Sequence, residues 1–464
     1  MAYDDEPPSS IGQVDLAKNE EIAEQLEALR FDPPTDEEIA SWDTLNMEEL
    51  PGADDLGPPF ESVYSVDGSR VEVLVGNRLR NKRVGFIDVA LTKVDMGMLR
   101  GQAERAYVDP AEVEHIGSSK HVHLVMPSSN AHFKSDSTHE SWRYMTFKNF
   151  QETDVLGQSL FDTYLAMLED AGRLTKSRRL RLEKCPGQDC THENLFVNST
   201  RPDTCSECGT TTYPTDALRV HERVTGSQSN VAALNILMGI IEHMVLLRSC
   251  QQMFENDPES LETTAFIKDG PLAQFDTAAW IHEPILEILQ DIRLFMDKLD
   301  MAPLVFAGVH KTGEFVEFAQ QIRDDLDGPV VMPFNNETIY ERVMPGERTK
   351  DYGYKTYYGK NFLYKSDKGT DDGHCLPFLV PRRYEDSDEN TAKKGDIVQD
   401  LSSYPELART VVALEQLRTI QYPDALIPLV LAHEAASLPE DLSRKVLKNL
   451  TELLNESATE EDAE

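Results

Sequence analysis

The sequence predicts an α/β fold, a mixed sheet flanked by helices with a cysteine-rich insertion, on three observations. Residues 264–324 follow a strand, helix, strand, helix rhythm. Residues 62–95 alternate apolar and polar side chains at period two, the mark of antiparallel strands. Four of the six cysteines fall within 24 residues, as Cys185-x4-Cys190 and Cys205-x2-Cys208.

Residues 1–55 carry 17 acidic and 2 basic side chains and read as a solvated acidic extension, with helical spacing at 22–29. The first domain segment spans 56–183. Its strands are expected at 62–66, 71–75 and 84–91, with Asp67-Gly68-Ser69 on a turn where the first strand ends. The run Arg78, Arg80, Lys82 and Arg83 is a candidate phosphate contact in so acidic a chain, and equally an ordinary basic hairpin loop. Residues 150–183 read as a helix. The segment 184–215 holds the cysteine pairs, whose spacing is that of a tetrathiolate zinc ribbon, with His192 a possible substitute ligand. From 216 to 455 the chain continues with a long helix at 230–254. A strand ending at Asp269, a helix at 275–299 and a strand at 303–309 before Lys311 come next. Then follow a helix at 314–324, strands within 355–386, and helices at 402–418, 424–436 and 439–455. Residues 456–464 form an acidic tail expected to be disordered.

Composition narrows the function. With 82 acidic against 45 basic residues the net charge is -37. That suits either a binder of cations and basic partners or a surface kept hydrated in concentrated salt. The acids are dispersed and lysine is sparse, which favours the cytoplasm of a halophile. The start of the chain is acidic and lacks an apolar signal segment, and no run of 18 apolar residues occurs. Clustered rather than distributed cysteines point to a reducing compartment. Neither a G-x-x-x-x-G-K-[ST] loop nor a G-x-G-x-x-G turn is present, so a nucleotide-driven enzyme is disfavoured.

Four residues carry the chemistry. Asp67 and Asp269 both end apolar strands at Asp-Gly steps, and on neighbouring strands their carboxylates would share one hard cation. Glu242 lies in the apolar stretch of the long helix, where an unpaired carboxylate is costly; Glu255 and Glu259 are its rivals as an acidic ligand. His433 closes an apolar run and, by itself, reads as an ordinary core histidine. Three carboxylates and an imidazole suit manganese or magnesium and phosphodiester hydrolysis. Lys311 would face the phosphate, unless it is a plain surface lysine.

Five segments, taken in order, resemble the NurA nuclease family. They are Asp67-Gly68-Ser69, Lys268-Asp269-Gly270-Pro271-Leu272, Gly308-Val309-His310-Lys311-Thr312, Tyr358-Gly359-Lys360-Asn361-Phe362-Leu363-Tyr364-Lys365, and the stretch from Tyr422-Pro423 to Ala432-His433. The resemblance spans about residues 60–440. It implies a ribonuclease-H-like core, a manganese-dependent (or magnesium-dependent) nuclease acting on DNA ends in resection, a homodimer, and a hexameric HerA-type translocase as partner. It makes Asp67, Glu242 and Asp269 metal ligands, with His433 and Lys311 at the site and Arg70 and Lys365 joining the basic run as DNA contacts. The zinc ribbon is an insertion relative to that family. The competing function keeps the fold without catalysis: a DNA-end-binding scaffold that docks a motor through its ribbon and acidic arm.

Overall fold

The computed structural model describes residues 42–75, 82–103, 117–133, 137–346, 350–366, 374–384, 397–419 and 422–437, with 445 and 449. The chain divides into residues 1–43 and 44–464, and the second unit carries the fold. Arg78 and Arg80, the helical spacing at 22–29 and the tail at 456–464 lie outside the described residues, as does the helix expected at 439–455 apart from residues 445 and 449, which are helical.

Nine strands form one mixed sheet. In chain order they are β1 (Leu45–Asn46), β2 (Ser62–Val75), β3 (Lys82–Asp95), β4 (Gly117–Pro127), β7 (Thr264–Asp269), β8 (Val305–Val309), β9 (Val330–Pro333), β10 (Gly359–Lys365) and β11 (Cys375–Pro381). Strands β5 (Arg179–Lys184) and β6 (Glu193–Asn198) form a separate hairpin. The order across the large sheet is β1-β9-β10-β11-β8-β7-β2-β3-β4. Strands β2, β3 and β4 are an antiparallel meander, whereas β7 pairs in parallel with both β2 and β8.

Among the described residues, the helices of eight residues or more are α1 (Met96–Ala103), α2 (Thr138–Glu152), α3 (Leu160–Asp170), α4 (Val231–Asn256), α5 (His282–Lys298), α6 (Glu314–Gln321), α7 (Leu407–Gln416) and α8 (Ile427–Ala436). Strand alternation splits the core. Val66, Val89, Val122 and Phe266 pack with α2, α3, α4 and α5, while Val63, Val94, Ala265 and Ile267 pack with α7 and α8. Helix α4 is long and apolar enough to cross a membrane, yet here it lies against the sheet with Leu234, Leu237, Ile241 and Val245 buried.

Several elements differ from the sequence expectation. The strands expected at 62–66 and 71–75 are one strand, so Asp67 lies in mid-strand and not on a turn. Asp67, Gly68, Ser69 and Arg70 pair with Ala90, Val89, Asp88 and Ile87. Gly68 is required by a neighbour: a Cβ there would come within 2.5 Å of Glu242 Oε1 and 2.8 Å of Met238 Cγ. The third meander strand is β4, which the pattern did not reveal. Residues 150–183 are not one helix: α2 stops before Thr153, Ser159 caps α3, and β5 begins at Arg179. The helix expected from 402 begins at Leu407 after a short 3-10 turn. Tyr422–Leu426 is a strand, and α8 starts at Ile427 with Pro428 in its first turn, where a missing N–H costs nothing. Within the span read as an extension, Leu45 and Asn46 already pair with Val331 and Val330.

Two histidines in the core stay neutral. Burial pushes His243 down to about 3 and His221 down to about 4. His243 Nδ1 donates to the Gly239 carbonyl at 2.6 Å, and its Nε2 meets no partner among the described residues. A depressed base stabilises above its unfolded value and loses that stability as pH falls. Each histidine should therefore cost up to about 1.4 kcal/mol per pH unit below about pH 6.5. Urea denaturation at several pH values should show His243→Leu with a shallower acid loss than the parent chain; identical slopes would mean that His243 is not the group titrating.

Candidate metal centre

The register of β7 on β2 builds the site. Val66 faces Lys268, so the next residues, Asp67 and Asp269, lie side by side on the α8 face. Gly270, at φ +89°, turns the chain away after Asp269 and donates its N–H to Val309 at 2.8 Å. Strand β8 ends at Val309, and Lys311, two residues on, returns to the same face. Its ammonium pairs with Asp269 and stands 3.6 Å from Asp67 Oδ2. Helix α8 supplies the imidazole. Ser65 Oγ donates to the Pro428 carbonyl at 2.7 Å and Ser69 Oγ to that of Ala436, which pins both ends of α8 along β2. His433 therefore lies over Asp67, with Nδ1 at 2.7 Å from Oδ2.

The ligand atoms of Asp67, Asp269 and His433 all lie within 4.8 Å of one another. The electrostatics fit a cation. Burial, and then the charge of Asp67, push Asp269 up to about 7 despite Lys311 beside it. Two adjacent carboxylates ionise together only if positive charge stands between them, and the Lys311 ammonium does so here. The donors, two carboxylate oxygens and one imidazole nitrogen, are those of a manganese or magnesium site.

Glu242 is outside this group. It projects from α4 on the opposite face, where its carboxylate meets the Lys268 ammonium at 2.9 Å, both side chains being buried. Burial raises its pKa and Lys268 opposes the rise. Its rival Glu255 pairs with Arg248 at 2.9 Å, and Glu259 lies in the 3-10 turn Pro258–Thr263. Lys268 was not among the expected site residues. It also donates to the Asp269 carbonyl at 2.6 Å and so links the two faces of the sheet. A lysine inside the apolar run before Asp269 was the available signal.

The expected DNA contacts divide. Lys82 is exposed, Arg83 pairs with Glu72 at 2.9 Å, and Arg70 donates to Asn235 at 2.5 Å. Lys365 is a correction: it is fully buried in β10 with its ammonium on the Arg323 carbonyl at 2.8 Å, so it cannot reach a phosphate. Its motif neighbour Asn361 instead accepts from His310 at 2.8 Å, which holds the β8 end in place.

The four cysteines converge beyond the β5–β6 hairpin. Cys185 and Cys208 Sγ are 3.7 Å apart, and Cys190 and Cys205 Sγ are 4.0 Å apart. Thiolates at about 2.3 Å from one tetrahedral ion are about 3.8 Å apart, so the spacing fits zinc. Burial opposes ionisation of Cys205, but backbone N–H groups of Cys208 and Glu207 and the His192 imidazole bring it down to about 6. His192 Nδ1 lies 3.5 Å from Cys205 Sγ, a hydrogen-bond partner of the cluster and not a fifth member.

No family model and no curated protein matches the chain. Among solved structures it is similar to the NurA nuclease from Sulfolobus solfataricus, at 10% identity over 97% of this chain and 98% of that one, with a TM-score of 0.38. It is also similar to NurA with manganese, at 14% identity over 96% and 98% of the two chains and a TM-score of 0.27. NurA bound to dAMP and manganese is a third, at 13% identity over 93% of each chain and a TM-score of 0.23. These likenesses are distant, and the chemistry rests on the side chains.

The buried Glu242–Lys268 pair is the site's mechanical support. Lys268→Met should cost about 3–5 kcal/mol, because it strands a buried carboxylate. Adding Glu242→Leu should recover most of that loss in urea melts; a double variant no more stable than Lys268→Met would show that the pair is not coupled.

Proposed function

We propose that the protein is a metal-dependent deoxyribonuclease of the NurA type. The observation that carries this reading is the convergence of Asp67, Asp269 and His433 from three separate elements on one face, with Lys311 between the carboxylates. The ordered motifs that resemble the NurA family support it, since four of them supply these groups.

On this reading Asp67, Asp269 and His433 hold a manganese or magnesium ion, which supplies Lewis acidity at the scissile phosphate. Lys311 balances the carboxylates in the free protein and offers its charge to a phosphate oxygen in the complex. His433, whose side chain is 63% exposed, presents its imidazole at the open side of the site, with its ring oriented by Asp67. Lys268 and Gly270 fix the Asp269 backbone, so the carboxylates meet substrate pre-arranged. Glu242 acts through Lys268 rather than as a ligand. A ribonuclease-H-like core is what the NurA resemblance implies, and a meander followed by two parallel strands is compatible with it.

The same proposal gives the protein DNA ends as substrate, a homodimer as its assembly and a hexameric HerA-type translocase as its partner in resection. Light scattering at the mass of one chain, and cleavage unaltered by such a translocase with ATP, would remove the last two. The thiolate cluster is proposed to hold a structural zinc ion.

End-labelled single- and double-stranded DNA should be cut in concentrated potassium chloride with manganese, and spared with EDTA. Asp67→Ala should lower the rate by about 10³-fold or more while leaving the fold intact. Cleavage retained in that variant would overturn the reading. For zinc, mass spectrometry of the native chain should find one ion per chain, lost in Cys205→Ser together with several degrees of melting temperature. A full-strength melt in that variant would rule out a structural ion.

A further inference from the structure

A second polar cluster stands beside the centre on the same sheet face. Along β2, β3 and β4 the register pairs Ser69 with Asp88 and Asp88 with His123, and the adjacent row pairs Asp67 with Ala90 and Ala90 with His121. Paired residues of a ladder share a face, so Asp67, Asp88, His121 and His123 all project toward the α8 side. Val89, Val122 and Leu124, which alternate with them, pack in the opposite core.

Asp88 is buried, yet among the described residues its carboxylate has neither lysine nor arginine as a partner. Two imidazoles meet it instead. His121 Nδ1 lies 3.2 Å from both carboxylate oxygens, and His123 Nδ1 lies 3.2 Å from Oδ1. The rings stack with centroids 5.3 Å apart. Two donors bound to one ion at about 2.0–2.2 Å are about 3.0–3.5 Å apart, and the observed spacing falls in that interval. The three ligand atoms lie within 4.8 Å of one another, as do those of the Asp67 centre.

We propose that Asp88, His121 and His123 form a second divalent-metal site, separate from the Asp67 centre and from the cysteine cluster. Two nitrogens and one oxygen favour a transition-metal ion such as nickel, zinc or manganese over magnesium or calcium. Burial of Asp88 and exposure of both rings leave the open coordination positions facing solvent, where an oxyanion can complete the shell. Asp67 and Asp88 are diagonal neighbours of one antiparallel pair, about 7–8 Å apart. The two clusters share no ligand residue. The second ion is therefore an anchor and not part of the reacting pair. Resting on the nuclease reading, it holds a neighbouring phosphate of the strand whose scissile phosphate meets Asp67.

The test separates the ion from the reading. Full-length protein carrying one zinc ion per chain, that of the cysteine cluster, and held in excess magnesium to occupy the Asp67 centre, is titrated with nickel by calorimetry. One nickel ion should bind per chain, with affinity weakened at least about tenfold in His123→Asn and in Asp88→Asn but retained in Asp67→Ala. His123 is 70% exposed, so its replacement does not threaten the fold. Absence of nickel binding, or binding lost in Asp67→Ala and kept in His123→Asn, overturns the site. For the anchoring role, manganese-dependent cleavage by His123→Asn should show a raised KM for single-stranded DNA with kcat near that of the parent. An unchanged KM overturns that role while leaving the nickel result to stand, and the nickel result holds its meaning even if neither chain cleaves DNA.

Discussion

The site depends on the parallel pairing of β2 with β7 in one register. Val66 beside Lys268 sends Asp67 and Asp269 to one face and Lys268 to the other. A slip by one residue would reverse every side chain of β7. Lys268 would then join Asp67, Asp269 would turn into the α4 core, and Glu242 would face a buried carboxylate. Burial on both faces enforces the register: Phe266 packs in one cluster, and Ala265 and Ile267 in the other. A strand that is apolar on both sides leaves its functional pair no second arrangement.

That pairing creates an electrostatic problem, which two lysines resolve from opposite faces. Lys311 stands between the carboxylates on the α8 side, and Lys268 neutralises Glu242 on the α4 side. They are not equivalent. Lys268 is enclosed, with its hydrogen bonds directed at Glu242 and the Asp269 carbonyl, so its charge stays where it is. Lys311 is one-third exposed and reaches the site from a loop after β8. It can yield the space between the carboxylates to another cation and turn toward an incoming anion. A fixed charge and a movable one, two strand ends apart, distinguish scaffold from chemistry here.

Much of this was legible in the sequence, and the failures have physical causes. The Asp67 and Asp269 pairing followed from apolar strands ending in charged residues, whereas His433 and Lys311 were ambiguous by themselves and were placed by their company and by the family resemblance. Asp67-Gly68-Ser69-Arg70 reads as a turn because Asp-Gly steps usually make one. Here the ladder to β3 runs straight through it, and the glycine serves the approach of α4. Glu242 reads in the sequence as a carboxylate that needs a partner, and in the structure the neighbouring strand supplies one, the Lys268 ammonium. Lys365 sits in a motif with Lys360 and Asn361, yet alternation along β10 cannot show that both faces of that strand are covered. Strand β4 went unnoticed because one face carries Ser119, His121 and His123 and the apolar row of Val122, Leu124 and Met126 opens with the polar Ser118 and Lys120.

The net charge of -37 bears on how such a chain could hold a polyanion. In concentrated salt the screening length shrinks to about 3 Å, so the dispersed surface acids repel a phosphate only at contact distance. The same screening removes the long-range attraction of ordinary basic grooves. What survives is coordination at short range, where an ion or an ammonium touches the phosphate oxygen directly. The described cations near the site are all engaged by neighbouring side chains, Arg83 by Glu72, Arg70 by Asn235 and Lys311 by Asp67 and Asp269, while the His123 ring on β4 is 70% exposed. On the proposed nuclease reading, recognition through metal ions set along one sheet face is the form of nucleic-acid binding that so acidic a surface permits in concentrated salt.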